Sequence, residues 1–227
     1  MKKLLQSSLI GSLLLTASIP NLAATPSPDP DAPSPRITIY VYNYAEVPPS
    51  TLEGARGEAS RILARAGVEV LWVECPGGKG LANSSCTQPV RPNEIWLRIL
   101  PRANETMKAI ARHIGGIAYR VGEDSNSGLI TLFYVRVEEI AERFQTSTAL
   151  ILGHTATHEI GHLLLPPRAG HSAGGIMQAK LRPAALRQAA RGNLNFAPEQ
   201  AEQMTTTLLA AMKQQEIVEQ PEFASVQ

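Results

Sequence analysis

The chain of 227 residues carries 21 basic and 20 acidic residues, which gives a formal net charge of +1 at pH 7. No basic stripe or patch stands out along it, and this argues against a nucleic-acid partner. The length is sufficient for one domain with a sizeable core. We find no internal repeat and no sign of a second domain in the sequence.

Residues 1–24 have the pattern of a secretory signal peptide. Lys2 and Lys3 precede a largely apolar run, and small residues allow cleavage after Ala24. The run is short and interrupted by polar residues, so we expect no stable membrane anchor once the signal is removed. Residues 25–35 contain five prolines and predict a stiff, extended linker. We therefore expect a secreted or periplasmic protein.

Residues 36–216 have the hydrophobic periodicity of a folded domain, and a polar tail follows at residues 217–227. A helix is predicted to start near Leu52, capped by Ser50-Thr51 and ended by Gly67, and another begins at Pro198. The stretch from Leu181 to Asn195 has no clear strand period. The predicted strands are Arg36 to Tyr44, Val68 to Val73, Glu94 to Leu100, Gly115 to Val121, and Leu129 to Val137.

Two cysteines, Cys75 and Cys86, flank a glycine-rich segment. In an oxidising compartment we expect them to form one disulfide that closes this loop. Zinc binding by the same pair is the alternative, but two cysteines alone do not make a structural zinc site.

The segment His158-Glu159-Ile160-Gly161-His162 lies on a helix predicted from Ser147 to Leu165. Positions i and i+4 share one face of a helix, so His158 and His162 can direct two imidazoles at one metal ion. Glu159 lies where a carboxylate could take a proton from the attacking water. This is the metallopeptidase form of a two-histidine zinc site. For the pentapeptide alone, a chance match on an ordinary helix is the alternative.

A third ligand is expected from the loop that follows Pro166-Pro167. A catalytic zinc needs three protein ligands and one open position, and His171 is the natural candidate. The alternatives are that His171 is an ordinary exposed histidine, or that Glu199 or Glu202 replaces it as a ligand. His154, one turn before the motif, is better interpreted as a supporting or core histidine than as a ligand.

These residues carry a family resemblance. The string HEIGH, the loop histidine His171 and the turn Gly175-Ile176-Met177 resemble a metzincin-like zinc metallopeptidase, in a divergent secreted bacterial form. The likeness covers roughly Thr146 to Leu181. Leu165 and Arg168 stand where the usual metzincin string has its glycine and its third histidine.

The resemblance implies an α+β fold of the zincin type. This fold has a mixed twisted sheet of about five strands, an active-site helix, a backing helix and a C-terminal helix. It also implies one zinc ion on His158, His162 and His171, with Met177 as the hydrophobic floor beneath it. In the family an antiparallel edge strand binds extended substrate. By this resemblance Gly116, Ile117, Ala118 and Tyr119 would take this place, and an ordinary edge strand without a substrate role is the alternative.

The functional prediction is a secreted, monomeric, zinc-dependent endopeptidase that acts on peptides or proteins. It would use a zinc-activated water with Glu159 as general base. The alternatives are a glutamate-liganded zinc peptidase and a catalytically silent, secreted zinc-binding or interaction module. The intact Glu159 argues against the silent module, because a structural site needs no base beside its ligand.

Overall fold

The structure of the protein is a computed structural model that describes residues 34–76, 84–104, 115–122, 125–167 and 169–219. The predicted signal peptide, most of the proline-rich linker and the end of the polar tail lie outside the described residues. The last helix continues to Glu219, into the segment predicted as a tail.

One mixed sheet organises the fold. Its strands are β1 (Arg36–Asn43), β2 (Glu69–Cys75), β3 (Glu94–Leu100), β4 (Gly116–Arg120) and β5 (Gly128–Phe133). They lie in the order β2-β1-β3-β5-β4. Among these five strands, only β4 runs antiparallel to its neighbour. The predicted sheet of about five strands with an antiparallel edge strand is therefore confirmed.

Five helices are present in the described residues, together with a short 3-10 helix at Ser84–Thr87. The predicted active-site helix, the backing helix and the C-terminal helix are α3, α1 and α5, so the α+β fold class is confirmed. The helices are α1 (Pro49–Arg65), α2 (Tyr134–Arg143), α3 (Thr148–Leu164), α4 (Pro183–Ala190) and α5 (Pro198–Glu219).

The core lies between the sheet and the helices α1 and α3. Strand side chains alternate between the two faces of a sheet, and the buried residues of β3 follow this period, as Ile95, Leu97 and Ile99 are each at most 3% exposed. They belong to one apolar cluster with residues of α3 such as Ile151 and Ile160. Helix α3 is thus held by packing along most of its length, which fixes the position of the motif that it carries.

The predicted fifth strand, Leu129 to Val137, is wrong at its C-terminal end. Strand β5 ends at Phe133, and α2 begins directly at Tyr134. The apolar run covers two elements in succession, and its β-branched residues favour a strand throughout. The helix is instead stabilised by burial of Val137 and Ala141, which are four residues apart on one face.

Two other predictions change at helix ends. Helix α1 starts at Pro49 without a side-chain cap, so the cap predicted at Ser50-Thr51 is wrong. A proline at the first helical position needs no cap for its own missing N–H group and already has a helical φ angle. Gly67, with a φ of 76°, follows the end of α1 as predicted. Helix α4 lies in the segment for which no element was predicted.

The disulfide between Cys75 and Cys86 is present, with a Cα–Cα distance of 5.7 Å. It links the end of β2 to the 3-10 helix and packs with Tyr40, Tyr42 and Trp96 in a small second cluster. The prediction of a disulfide is therefore confirmed. In the part of the chain that the structure describes, no helix has the length and hydrophobicity needed to cross a membrane.

Candidate metal centre

Three histidines converge at the C-terminal half of α3. His158 and His162 lie one turn apart on α3, and His171 lies on the loop that follows it. Their ligand nitrogens all lie within 4.8 Å of one another. The Nε2 atoms of His158 and His162 are 3.1 Å apart, close to the roughly 3.3 Å that separates two nitrogens on a tetrahedral zinc ion. This group could therefore bind a metal ion.

A backbone carbonyl fixes the orientation of His158. Its Nδ1 atom lies 2.8 Å from the carbonyl oxygen of Ile176. Because a carbonyl can only accept, this contact requires the proton on Nδ1 and leaves the lone pair of Nε2 directed at the other two rings. Burial also lowers the pKa of His158. The ring is therefore kept neutral, the form that a metal ligand needs.

His162 is held neutral by a similar environment. Burial is the main cause that lowers its pKa to about 4, and His158, His171 and Arg120 lower it further. A buried neutral imidazole in a cluster of donors is a prepared ligand.

The loop that carries His171 is hydrogen-bonded to the predicted methionine turn. The N–H group of Ser172 donates to the carbonyl oxygen of Met177 at 2.9 Å, and the N–H group of Ile176 donates to Asn195 at 2.9 Å. The hydroxyl group of Ser172 also donates to the carbonyl oxygen of Gly174 at 2.6 Å. The residue after the third histidine and the turn are thus parts of one compact loop.

Met177 packs against the motif helix at Gly161. Its side chain is fully buried. A Cβ atom placed on Gly161 would lie 2.4 Å from the sulfur of Met177 and 2.8 Å from a ring carbon of Phe196. The glycine within HEIGH therefore permits the close approach of Met177 and Phe196 to the helix, and Met177 is buried as both a hydrophobic floor and an ordinary core methionine would be.

Glu159 is a buried carboxyl group beside the histidines. Only 7% of the residue is exposed. Burial raises its pKa to about 7, and a hydrogen bond from the backbone of Ala118 acts in the opposite direction. Glu159 also approaches Gly116 closely, since a Cβ atom on that glycine would lie 2.9 Å from Cγ of Glu159. Helix α3 and strand β4 therefore meet at the carboxyl group.

The register of β4 explains the contact with Ala118. The N–H group of Phe133 donates to the carbonyl oxygen of Gly115, and the N–H group of Val121 donates to that of Ser127. The backbone N–H and C=O groups of the odd-numbered residues in this segment therefore point toward β5. In an antiparallel pair the peptide groups alternate in direction. The peptide groups of Gly116 and Ala118 consequently face away from β5, toward an edge that no other described strand covers, next to Glu159.

Arg120 is a site residue that the sequence did not reveal. Its guanidinium group donates to the carbonyl oxygens of His162 at 2.7 Å, Leu163 at 2.6 Å and Leu165 at 2.8 Å. These carbonyls belong to the last turn of α3, where no further helical N–H group is available. Arg120 therefore ties the edge strand to the end of the helix that carries His162.

His154 lies one turn before His158 and does not belong to the three-histidine group. The residue is 3% exposed, and its Nε2 atom lies 3.0 Å from a carboxylate oxygen of Glu58 in α1. Neither ring nitrogen has a well-formed hydrogen bond among the described residues. We therefore treat the contact as electrostatic. Glu58 is in turn held by Arg61 through two hydrogen bonds of 2.7 and 2.8 Å.

The three histidines and Glu159 open into a cleft with a volume of about 700 Å³. Gly116, Ile117 and Ala118 of the predicted substrate strand line it. Tyr119 is not among the lining residues and is 48% exposed. Within the described residues, the candidate metal group includes neither Glu199 nor Glu202, which lie exposed on α5.

Comparisons with known proteins add little to this geometry. No family model matches the chain, and no curated protein matches it. Among solved structures, the chain is similar to the solution structure of TM1509 from Thermotoga maritima, with 12% identity and a TM-score of 0.32. That match covers 83% of this chain and 99% of the other. We draw no conclusion from a likeness at this level.

Proposed function

We propose that the protein is a secreted zinc-dependent endopeptidase. The observation that carries this proposal is the position of Glu159, a buried carboxyl group between three converging histidines and the open edge of a sheet. A structural metal site has no use for such a carboxyl group, whereas hydrolysis needs a base at this place.

Three imidazole ligands favour zinc over the hard cations, which prefer oxygen ligands. His158, His162 and His171 would hold the ion and leave a fourth position for water or substrate. When bound, zinc lowers the pKa of a coordinated water to about 7 and polarises a carbonyl group. We infer a catalytic site rather than a structural one, because structural sites are closed by four protein ligands.

Glu159 would act as the general base. Without a metal, burial raises the pKa of Glu159 to about 7, and the positive charge of a bound zinc ion would favour the carboxylate form that can accept a proton. The carboxylate would accept a proton from the attacking water and then deliver it to the leaving amine. Its hydrogen bond with the backbone of Ala118 would keep it oriented toward the cleft.

The edge strand β4 would align the substrate. Extended peptides add readily to an open strand edge, because main-chain hydrogen bonds supply affinity without regard to sequence. The N–H group of Ala118 is engaged by Glu159, and a peptide paired with the other outward peptide groups of Gly116 and Ala118 would pass close to the three histidines.

Secretion is supported by two independent features. The disulfide between Cys75 and Cys86 is consistent with an oxidising compartment. The charged and then apolar N-terminal residues have the pattern of an export signal.

The proposal is tested by measuring zinc content and peptide turnover on the same preparations of the mature chain. Glu159→Gln should retain one zinc per chain and lose about 10²–10⁴-fold in turnover. His171→Ala should lose most of its zinc. Glu199→Ala is the matched control, since it removes an exposed carboxylate on α5, and it should change neither quantity.

Two outcomes would redirect the assignment. Full zinc content in His171→Ala together with zinc loss in Glu199→Ala or Glu202→Ala would favour the glutamate-liganded alternative. A wild type that holds zinc but cuts no member of a diverse peptide library would favour a secreted zinc-binding module.

A further inference from the structure

The cleft around the three histidines is lined by cations. Arg136 and Arg143 come from α2, and Lys180 comes from the segment after the methionine turn. The only carboxylate among the described lining residues is Glu159, the group that the proposed reaction itself uses. Among the described lining residues, the charged side chains other than Glu159 are therefore all basic.

Helix α2 presents its cations on one face. Arg136, Ile140 and Arg143 are separated by four and then three residues, and all three line the cleft, as side chains at this spacing do. Arg143 and Lys180 are exposed and can meet a ligand directly. The two residues thus offer charges on two different segments of the cleft wall.

Arg136 is partly neutralised but retains a donor. Its Nη1 atom pairs with Glu139 at 2.9 Å. Its Nε atom is buried and has no hydrogen-bond partner among the described residues. A buried guanidinium donor without a partner is costly, and a carboxylate is the group that best satisfies it.

We propose that this cleft selects peptides with an acidic side chain within a few residues of the bond that is cut. The inference rests on the proposed endopeptidase function for its substrate class. An extended peptide advances about 3.3 Å per residue, so a chain that passes the histidines brings neighbouring side chains to the same cleft walls. Aspartate or glutamate at such a position would meet the exposed Arg143 or Lys180. A lysine there would meet like charge.

The test measures binding, so that it does not depend on turnover. The protein is zinc-loaded Glu159→Gln, and the probes are fluorescein-labelled peptides of one neutral sequence with a single Glu, Gln or Lys moved through each position. Fluorescence anisotropy is recorded in low salt and in about 0.5 M salt, where the charge attraction is screened. Cleavage of the same peptides by the wild type is followed in parallel.

We expect the Glu peptide to bind more tightly than the Lys peptide at one or two positions, by about two- to fivefold for each cation that it meets. Arg143→Glu and Lys180→Glu should each reduce or reverse that preference. Lys213→Glu is the control of equal charge change, because Lys213 is exposed on α5 and does not line the cleft. It should leave the preference unchanged.

The outcomes separate this inference from the proposed function. Equal binding of Glu and Lys peptides, tighter binding of Lys peptides, or no binding of any peptide overturns the charge selectivity. A preference that survives both reversals also overturns it. If acidic peptides bind selectively but the wild type cuts none of them, the selectivity stands and the endopeptidase proposal fails.

Discussion

Gly161 has a role that the HExxH pattern alone does not define. The pattern fixes the histidines and the glutamate and leaves the two residues between them open. Here one of those positions must be glycine, since the sulfur of Met177 occupies the space that a Cβ atom would need. The same residue therefore connects the helix and the turn beneath the candidate metal site.

We expect Gly161→Ala to lower the free energy of unfolding by about 1–3 kcal/mol, the usual cost of overpacking, and to weaken zinc binding. Gly57→Ala is the matched control, because Gly57 lies inside α1 and a Cβ atom there would meet nothing within 4 Å. That change should stabilise the protein by about 0.5–1 kcal/mol through helix propensity. Urea unfolding of both variants measures the difference, and a neutral Gly161→Ala would contradict the packing described for Met177.

The residues of the candidate site differ in how far they could be predicted from the sequence. His158, Glu159 and His162 could be predicted because their spacing matches one turn of a helix. His171 could be predicted because it follows His162 closely along the chain. Arg120 could not be found in this way, because its carbonyl partners at the end of α3 lie 42 to 45 residues away. Its contacts depend on how β4 is placed against α3, and this placement is a product of the whole fold.

At the scale of elements, the link between β4 and the end of α3 can be tested through Arg120. We expect Arg120→Ala to lower the free energy of unfolding by about 2–3 kcal/mol, because carbonyls of the last turn lose charged donors, and to weaken zinc binding at His162. Arg120→Lys should recover part of both losses, since an ammonium group supplies the charge but not the planar fork.

Zinc competition with a coloured chelator and urea unfolding measure these changes. Arg187→Ala serves as the control for loss of an exposed arginine on α4. If Arg120→Ala binds zinc as tightly as the wild type, the arginine has no part in positioning His162.

Helices and strands could be predicted from the sequence where a single hydrophobic period continued through the whole element. Strands β1 and β3 and helix α3 each have a single hydrophobic pattern over their full length, and the predicted bounds differ little from those observed. Helix α2 was missed because Val135 and Val137 continue the apolar pattern of β5 across the junction. What decides the change from strand to helix is tertiary burial of Val137 and Ala141, and local propensity does not contain that information.

At the scale of the whole molecule, the pair of Glu58 and Arg61 joins three distant segments. It contacts His154 on α3, and Arg61 also donates to the carbonyl of Gly192 beyond α4 at 2.9 Å. Burial lowers the pKa of His154 below its ordinary value of 6.5. The unfolded chain therefore binds this proton at a higher pH than the folded chain does. The contribution of His154 to stability is complete above pH 6.5 and declines as the pH falls below that value.

We accordingly expect the metal-free wild type to lose stability between pH 7 and pH 5 more steeply than His154→Gln. The largest slope that one group can supply is about 1.4 kcal/mol per pH unit. Glu58 has a lowered pKa, mainly because of its hydrogen bonds with Arg61, so its own contribution declines only below pH 4.5. Urea unfolding in EDTA at pH 7, 6 and 5 gives the slopes, and parallel slopes for the two proteins would refute the assignment to His154.

The disulfide and the candidate metal site are associated with opposite edges of the sheet, β2 and β4. Replacing Cys75 and Cys86 together by alanine should cost about 2–3 kcal/mol in the chain-entropy model and leave the zinc stoichiometry unchanged. Loss of zinc in this double variant, with its fold intact by circular dichroism, would show that the two regions are coupled.

The hydrogen bonds of the loop that carries His171 have a consequence for how the protein would acquire its ion. Ser172 and Ile176 are anchored to Met177 and Asn195 by protein groups alone, so folding itself bears the entropic cost of ordering this loop. In small metal-dependent domains such as zinc fingers, by contrast, metal binding supplies the free energy that orders the chain, and chelators therefore unfold them. Here we therefore expect the loop that carries His171 to keep its conformation when a chelator removes a bound ion.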